Sequence, residues 1–334
     1  MIPASGLIFT YSHIRAAQGL RDKPPFAAAW DLLERAAADP ENGAKPCVNL
    51  AGQALYWRIG GDNDSGTRAI AALSDFVYSA ADADIMAFKD AFATAQAICC
   101  LLDHPAMTDA VRTQILDAWA ENAAHLNAGE AVHLRAWAVL TELCAGVLLD
   151  QPERTEMAAA GFRALVDMVQ PHGYVASLVD VRDGDTLPRT LQFVQGLVLA
   201  AEVGAHHGFE LWEYERRGVS VLTAALYPLY YYYYPEKWPW DVKATPQPVT
   251  TKRPSRRERA AQILSDYTVD TVKALFAPHE SFLELVNHRT QGTVRAVSMI
   301  LDEERPILDL LGGGPVTLTH GLPLAPKRRG LFGR

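Results

Sequence analysis

ADIMAFKDAFATAQAICCLL, residues Ala83–Leu102, and AVHLRAWAVLTELCAGVLL, residues Ala131–Leu149, both carry apolar residues at the i, i+3, i+4, i+7 spacing of a helix. In both, alanine and larger apolar residues spread over more than one face. A helix with a single apolar stripe needs one neighbour, whereas a helix apolar on several faces must be flanked on both sides. The pattern therefore predicts an all-α chain of antiparallel helical hairpins packed side by side in a ring, an incomplete (α/α) toroid.

Working outward, the same period predicts helices over Pro25–Asp39, Val48–Ile59, Gly66–Ala80, Thr108–Leu126, Glu153–Val169, Leu187–His206 and Leu211–Tyr231. Breakers separate them at Asp39-Pro40, Gly60-Gly61, Asp103-His104-Pro105, Asn127-Ala128-Gly129, Asp150-Gln151-Pro152 and His207-Gly208. Gly173–Thr186 breaks the rhythm with β-branched residues and an Asp-Gly turn, and reads as a short extended piece plus loop. Pro235–Pro254, with five prolines, reads as a linker. It leads to closing helices over Ser255–Phe276, His279–Asn287 and Gln291–Leu301, so residues 1–334 are expected to form one toroid domain.

The aromatic run from Tyr227 to Trp240 holds half of the twelve tyrosines, five of them consecutive at Tyr230–Tyr234. Successive helical residues point about 100° apart, so these rings cannot share one buried face. Some are expected beside water or a cleft, where an apolar ring with a polar tip can stack on a sugar.

A net charge of −8 argues against nucleic acid as a partner. Two basic stretches, Lys252–Arg259 and the tail Lys327–Arg334, read as solvated. No apolar run reaches the length of a membrane span, and the start lacks a signal-peptide pattern. As written, the chain is expected to be cytoplasmic; a removed leader would make it periplasmic or secreted. The oligomeric state is open.

Motif-like fragments mostly reduce to structure. Asp62-Asn-Asp64-Ser-Gly66 has Ala72 where a calcium loop needs glutamate, and reads as a helix N-cap. Gly312-Gly-Gly314 lacks phosphate-loop chemistry and reads as a flexible turn. Cys47, Cys99, Cys100 and Cys144 have no metal-ligand spacing, and His206-His207 reads as a pair closing a helix. No metal and no cofactor is expected. The candidate site is instead His133, with Trp137 at i+4 on the same face, and a polar edge of Arg189, Gln192 and Gln195 after the Asp180/Arg182/Asp183/Asp185 loop. Arginine in such a place can hold a carboxylate through two parallel hydrogen bonds.

At these residues the chain resembles alginate lyase-type proteins. Gly6-Leu-Ile-Phe-Thr-Tyr-Ser-His-Ile-Arg15 with Ala28-Ala-Trp30 looks like that family's opening. Val132-His133-Leu-Arg-Ala-Trp137 is similar to its Asn-Asn-His-x-x-Trp segment. Leu187-Pro-Arg189-Thr-Leu191-Gln-Phe193, followed by Ala200-Ala-Glu202 and Gly208-Phe-Glu-Leu211-Trp212, is similar to its Arg-Ala-Leu-His-Tyr…Ala-Glu…Gly-x-x-Leu-Tyr segment. The resemblance spans about residues 5–235.

It implies a toroid with a cleft across one end and β-elimination on an acidic polysaccharide such as alginate. His133 is then the base, and Arg182 or Arg189 neutralises the uronate carboxylate. The acid comes from Tyr174 or the tyrosine run, with Trp137, Gln192, Gln195, Tyr174, Tyr230 and Tyr234 as substrate contacts. Val132 stands at the family's asparagine, Phe193 at its catalytic tyrosine, Val194 at the histidine after it, and Thr186 at its arginine. Two other readings stand beside this one: glycoside hydrolysis through two of Asp180, Asp183, Asp185 and Glu130, and a non-catalytic binding or scaffold protein.

Overall fold

The structure, a computed structural model, describes residues 6–38, 46–75, 84–180, 184–241 and 264–323. Helices come in pairs along the chain. After α1 (Tyr11–Leu20) follow α2 (Phe26–Ala38), α3 (Pro46–Gly60), α4 (Asn63–Ser74), α5 (Ile85–Leu101), α6 (Asp109–His125), α7 (Val132–Leu148) and α8 (Pro152–Met168). Beyond the short α9 (Ala176–Val179) runs the longest, α10 (Thr186–His206). The chain then continues through α11 (Val221–Leu226), α12 (Leu229–Tyr233), α13 (Val269–Phe276), α14 (Ser281–Arg289), α15 (Arg295–Glu304) and α16 (Val316–His320). No helix among the described residues is long and apolar enough to cross a membrane.

Two layers follow from composition. α3, α5, α7, α10 and α14 form the inner layer, each packed on the next. α5 buries every residue from Phe88 to Leu101 except Asp90, as its many-faced apolar sequence requires. α2, α4, α6 and α8 bury one stripe each and lie outside, against their inner partners. Caps mark the starts: Asp62 accepts from Ser65 N at 2.9 Å, Asp84 from Ala87 N at 2.8 Å and Thr108 from Val111 N at 3.3 Å. Asp62 is thus the cap that the sequence indicates.

The inner helices run parallel, because like ends meet like ends. Near their N-termini, Cys47 Sγ meets Asp90 at 3.0 Å, Trp137 Nε1 donates to Gln192 O at 2.8 Å, and Gln195 Nε2 donates to Ser281 Oγ at 2.8 Å. Near their C-termini, Arg58 Nε donates to Cys100 O at 2.9 Å and Arg289 Nε to Glu202 Oε2 at 3.0 Å. The toroid therefore has an N-terminal rim and a C-terminal rim. The closing helices are held by buried Glu284, which binds Arg305 through two 2.7 Å contacts and accepts from Thr317 Oγ1 at 2.7 Å.

Four expectations are corrected. Leu211–Tyr231 is not one helix: a hairpin (β1 Glu215–Arg216, β2 Val219–Ser220) turns on Arg217 and Gly218, both at positive φ, and Pro228 separates α11 from α12. Gly173–Thr186 contains the short helix α9 after a Val169–Val175 bridge. Pro235–Trp238 is not a free linker, since Pro235–Lys237 forms a 3₁₀ turn and Trp238 is fully buried; residues 242–254 lie outside the described ones. Of Ser255–Phe276, residues 255–263 lie outside the described ones; among the described residues 264–268 are not helical and helix begins at Val269, where Thr268 caps α13. α1 went unseen because it buries only Ile14 and Ala17, too few for a period.

Candidate functional site at the N-terminal rim

The N-terminal ends of α3, α5, α7, α10 and α14 converge on one rim, and each brings a partial positive charge from unpaired backbone N–H groups. His133 lies one residue inside the start of α7 and Arg189 one turn inside α10; both are partly buried. They are close enough to interact. Burial, then the Arg189 charge, lowers the His133 pKa below 6.5, so its imidazole is neutral and free to accept a proton near neutral pH. Arg189 is 4.0 Å from Asp185, one turn before it.

A cavity of about 280 Å³ is lined by Val48, Ala277, Pro278, Leu308, Asp309, Leu310 and Leu311. Beneath it lies a polar network that sequence reasoning missed. Lys89 Nζ donates to Pro278 O at 2.7 Å and sits 3.4 Å from His279 Nδ1, which is 2.7 Å from Gln195 Oε1. Gln195 Nε2 reaches Asp309 at 2.6 Å and Ser281 at 2.8 Å. Burial lowers Lys89 and drives His279 well below its usual value. It raises the carboxyls of Asp309 and, to about 8, Glu280, whose neighbours Glu304 and Asp309 add to the effect. One signal was available: Lys89 is the only basic residue in the apolar Ala83–Leu102 run. Its partners, nearly two hundred residues away, left none.

Gly312–Gly314 covers this network as a tight turn, not a flexible one. Gly313 and Gly314 have φ of 118° and 86°, Asp309 N bonds Gly314 O at 3.0 Å, and a Cβ at Gly312 would collide with Gln195 and Asp309.

An aromatic wall adjoins the start of α10. Thr186 Oγ1 donates to Asp241 at 2.7 Å and accepts from Trp238 Nε1 at 2.8 Å. Tyr174 packs on Trp240 with ring centroids 5.0 Å apart, Trp240 Nε1 donates to Tyr227 OH at 2.7 Å, and Tyr231 packs on Trp238 at 4.8 Å. The tyrosine run divides as its geometry requires. Tyr232 is buried on Phe276 with its hydroxyl on Glu304, Tyr233 reaches Glu303, and the exposed Tyr230 and Tyr234 stack on each other at 4.9 Å.

Several expected site residues are placed differently. Trp137 is fully buried, with its N–H on Gln192 O, so it supports the rim and cannot reach a ligand. Gln195 is fully buried in the Lys89 network, so the polar edge of α10 is Arg189 and Gln192 alone. Asp180, Asp185 and Glu130 are exposed; Arg182 and Asp183 lie outside the described residues.

Searches of known structures return the same architecture. Alginate lyase A1-III from Sphingomonas species A1 is similar with a TM-score of 0.62 and 16% identity, over 90% of this chain and 79% of that one. Alginate lyase A1-III complexed with a tetrasaccharide gives 0.61 and 15%, over 91% and 79%. An alginate lyase from Bacteroides ovatus gives 0.65 and 10%, over 95% and 99%. The chain has the alginate lyase fold. No family model and no curated protein matches the sequence. In this alginate lyase-type toroid Val132, Phe193 and Val194 are buried core residues, and Thr186 anchors Asp241 and Trp238.

Proposed function

We propose that the protein binds an acidic polysaccharide across the N-terminal rim and cleaves it by β-elimination. The supporting observation is the pairing of neutral His133 with Arg189 where five inner helix N-termini point their dipoles. Arg189 neutralises the uronate carboxylate and so acidifies the C5 proton; His133 takes that proton; the C4–O4 bond breaks as the C4–C5 double bond forms. We assign the acid that protonates O4 to Tyr174. The other hydroxyls of the Tyr227–Tyr234 run are engaged or displaced: Tyr227 by Trp240, Tyr231 by Tyr227, Tyr232 and Tyr233 by glutamates, and Tyr230 and Tyr234 by their outward stack. That stack is a platform for a sugar ring further along the chain.

The test is ultraviolet absorbance of the new double bond on polymannuronate, polyguluronate and polyglucuronate. Wild type is expected to produce it on at least one, and His133→Ala to lose it while keeping polymer binding. Silence on all three ends the lyase reading. A second reading, glycoside hydrolysis, draws on Glu280 with its pKa near 8 and on Asp309 at the cavity. It predicts new reducing ends without that absorbance, lost in Asp309→Asn.

A further inference from the structure

At the opposite, C-terminal rim, four of the ten histidines gather around one buried carboxylate. His13 comes from α1, His206 from the last turn of α10, His288 from α14 and His320 from the end of α16. The His13 ring lies 5.6 Å from His206, 5.3 Å from His288 and 4.8 Å from His320, centroid to centroid. Glu202, one turn before His206, points Oε1 at them, 3.1 Å from His206 Nε2 and 3.6 Å from His320 Nε2. Nothing in the lyase reading uses this cluster.

We propose that His13, His206, His320 and Glu202 form a tetrahedral site for a divalent transition metal of the zinc class. Three observations carry it. One nitrogen from each of His13, His206 and His320 lies within 4.8 Å of the others, close enough for a modest contraction onto one ion. His320 is 1% exposed, and its Nε2 is buried without a hydrogen-bond partner, aimed at Glu202 Oε1. An orphaned buried nitrogen facing a carboxylate is costly in an apoprotein and is satisfied by a cation.

The outer contacts, finally, are those that orient metal ligands. Glu202 Oε2 is fixed by Trp212 Nε1 at 2.9 Å and Arg289 Nε at 3.0 Å, while Oε1 faces the histidines and takes a longer contact, 3.4 Å, from Arg289 Nη2. His320 Nδ1 lies 2.8 Å from Thr319 Oγ1, which fixes the ring with Nε2 inward. His288, with Nδ1 3.0 Å from His320 O, packs against the cage as a fifth side. The imidazole and carboxylate donor set suits zinc or cobalt and disfavours calcium and magnesium, which take oxygen ligands.

Loading rearranges protons in a defined way. His206 Nε2 now faces Ile8 O at 2.9 Å as well as Glu202, and His13 Nδ1 accepts from Thr10 N–H at 3.2 Å. Coordination through Nε2 leaves the proton of each ring on Nδ1, so both the Thr10 contact to His13 and the His206 Nε2 contact to Ile8 O open. The ion would then tie the N-terminal helix to α10 and α16, which are remote in sequence.

The experiment uses the full chain, stripped with chelator and titrated with Zn²⁺ and Co²⁺ by calorimetry and visible absorption, with melting followed in parallel. One equivalent is expected, with Kd below about 1 μM, the intense visible bands of tetrahedral Co²⁺, and a Tm rise of about 4 °C at hundredfold excess over Kd. His13→Gln, at a half-buried position, is expected to stay folded and to lose the Co²⁺ bands, whereas exposed His125→Gln keeps them. Zn²⁺ that is not retained, a Tm that does not move, or bands unchanged in His13→Gln each overturn the proposal. Should His13→Gln fail to fold, His206→Gln replaces it. Uronate assays on the stripped protein separate this from the lyase reading, since the two rims are distinct.

Discussion

His133 sets the pH behaviour expected of activity. Its imidazole is depressed below 6.5 by burial and by Arg189, so the basic form persists to lower pH than for a free histidine. The acid limb of kcat/KM is therefore expected with its midpoint below 6.5, and a pH–rate profile on the active polyuronate checks this. Arg189→Ala removes the group that stabilises the enolate-like charge, and roughly a 10²–10³-fold loss of kcat is expected by analogy with losing one oxyanion donor. Arg189→Lys is expected to recover part of it. Phe193 presents a different case. It is 1% exposed, so Phe193→Tyr would bury a hydroxyl with no partner instead of restoring an acid. Thermal or urea unfolding is expected to show a loss of about 1–3 kcal/mol, with no gain in elimination rate.

Among the elements, the α7–α10 contact places His133 and Arg189 side by side. That contact is close because Gly196 on α10 meets the Trp137 indole, where a Cβ would stand 2.9 Å from the nearest ring atom. Gly196→Val is expected to overpack this seam and cost about 1–3 kcal/mol by denaturant titration, with kcat falling as the two site residues separate. The helical period in the sequence located α7 and α10 to within a residue or two of their ends, since both are long and strongly periodic. It failed over 211–231, where the apolar run is continuous and the Arg217-Gly218 turn and Pro228 cut it into a hairpin and two short helices. It could not tell Gln195 from Gln192: both are glutamines on one helix, and only the position of Ser281 and Asp309 draws Gln195 inward.

For the whole molecule, two buried groups at the N-terminal rim set a stability optimum in pH. His279 has a folded pKa well below 6.5, so the unfolded chain binds the extra proton first and stability falls as pH drops below about 6.5. Glu280 has a folded pKa near 8 against 4.5 unfolded, so its contribution is complete below 4.5 and is lost as pH rises through about 8. The two slopes offset between about pH 4.5 and 6.5, so Tm is expected to be highest there and to fall as pH rises from about 6.5 to 8. Glu280→Gln should raise Tm at pH 8 and leave it nearly unchanged at pH 4.5; scanning calorimetry at the two pH values decides this.

The sequence by itself determined the all-α ring, because helices such as Ala83–Leu102, apolar on several faces, have to be flanked on both sides. It also determined that His133 and Arg189 lie in the first turns of their helices, because the breakers Asn127-Ala128-Gly129 and Asp183-Gly184 stand just before them. Only the tertiary structure decided what meets across the ring. Lys89 joins His279, Gln195 and Asp309 at one rim, and His13 joins His206, His288 and His320 around Glu202 at the other. The physical reason is that a helical period fixes which face of a helix is buried. The partner of a polar side chain on that face depends on how the parallel inner helices align along their axes, and this depends on packing between segments hundreds of residues apart.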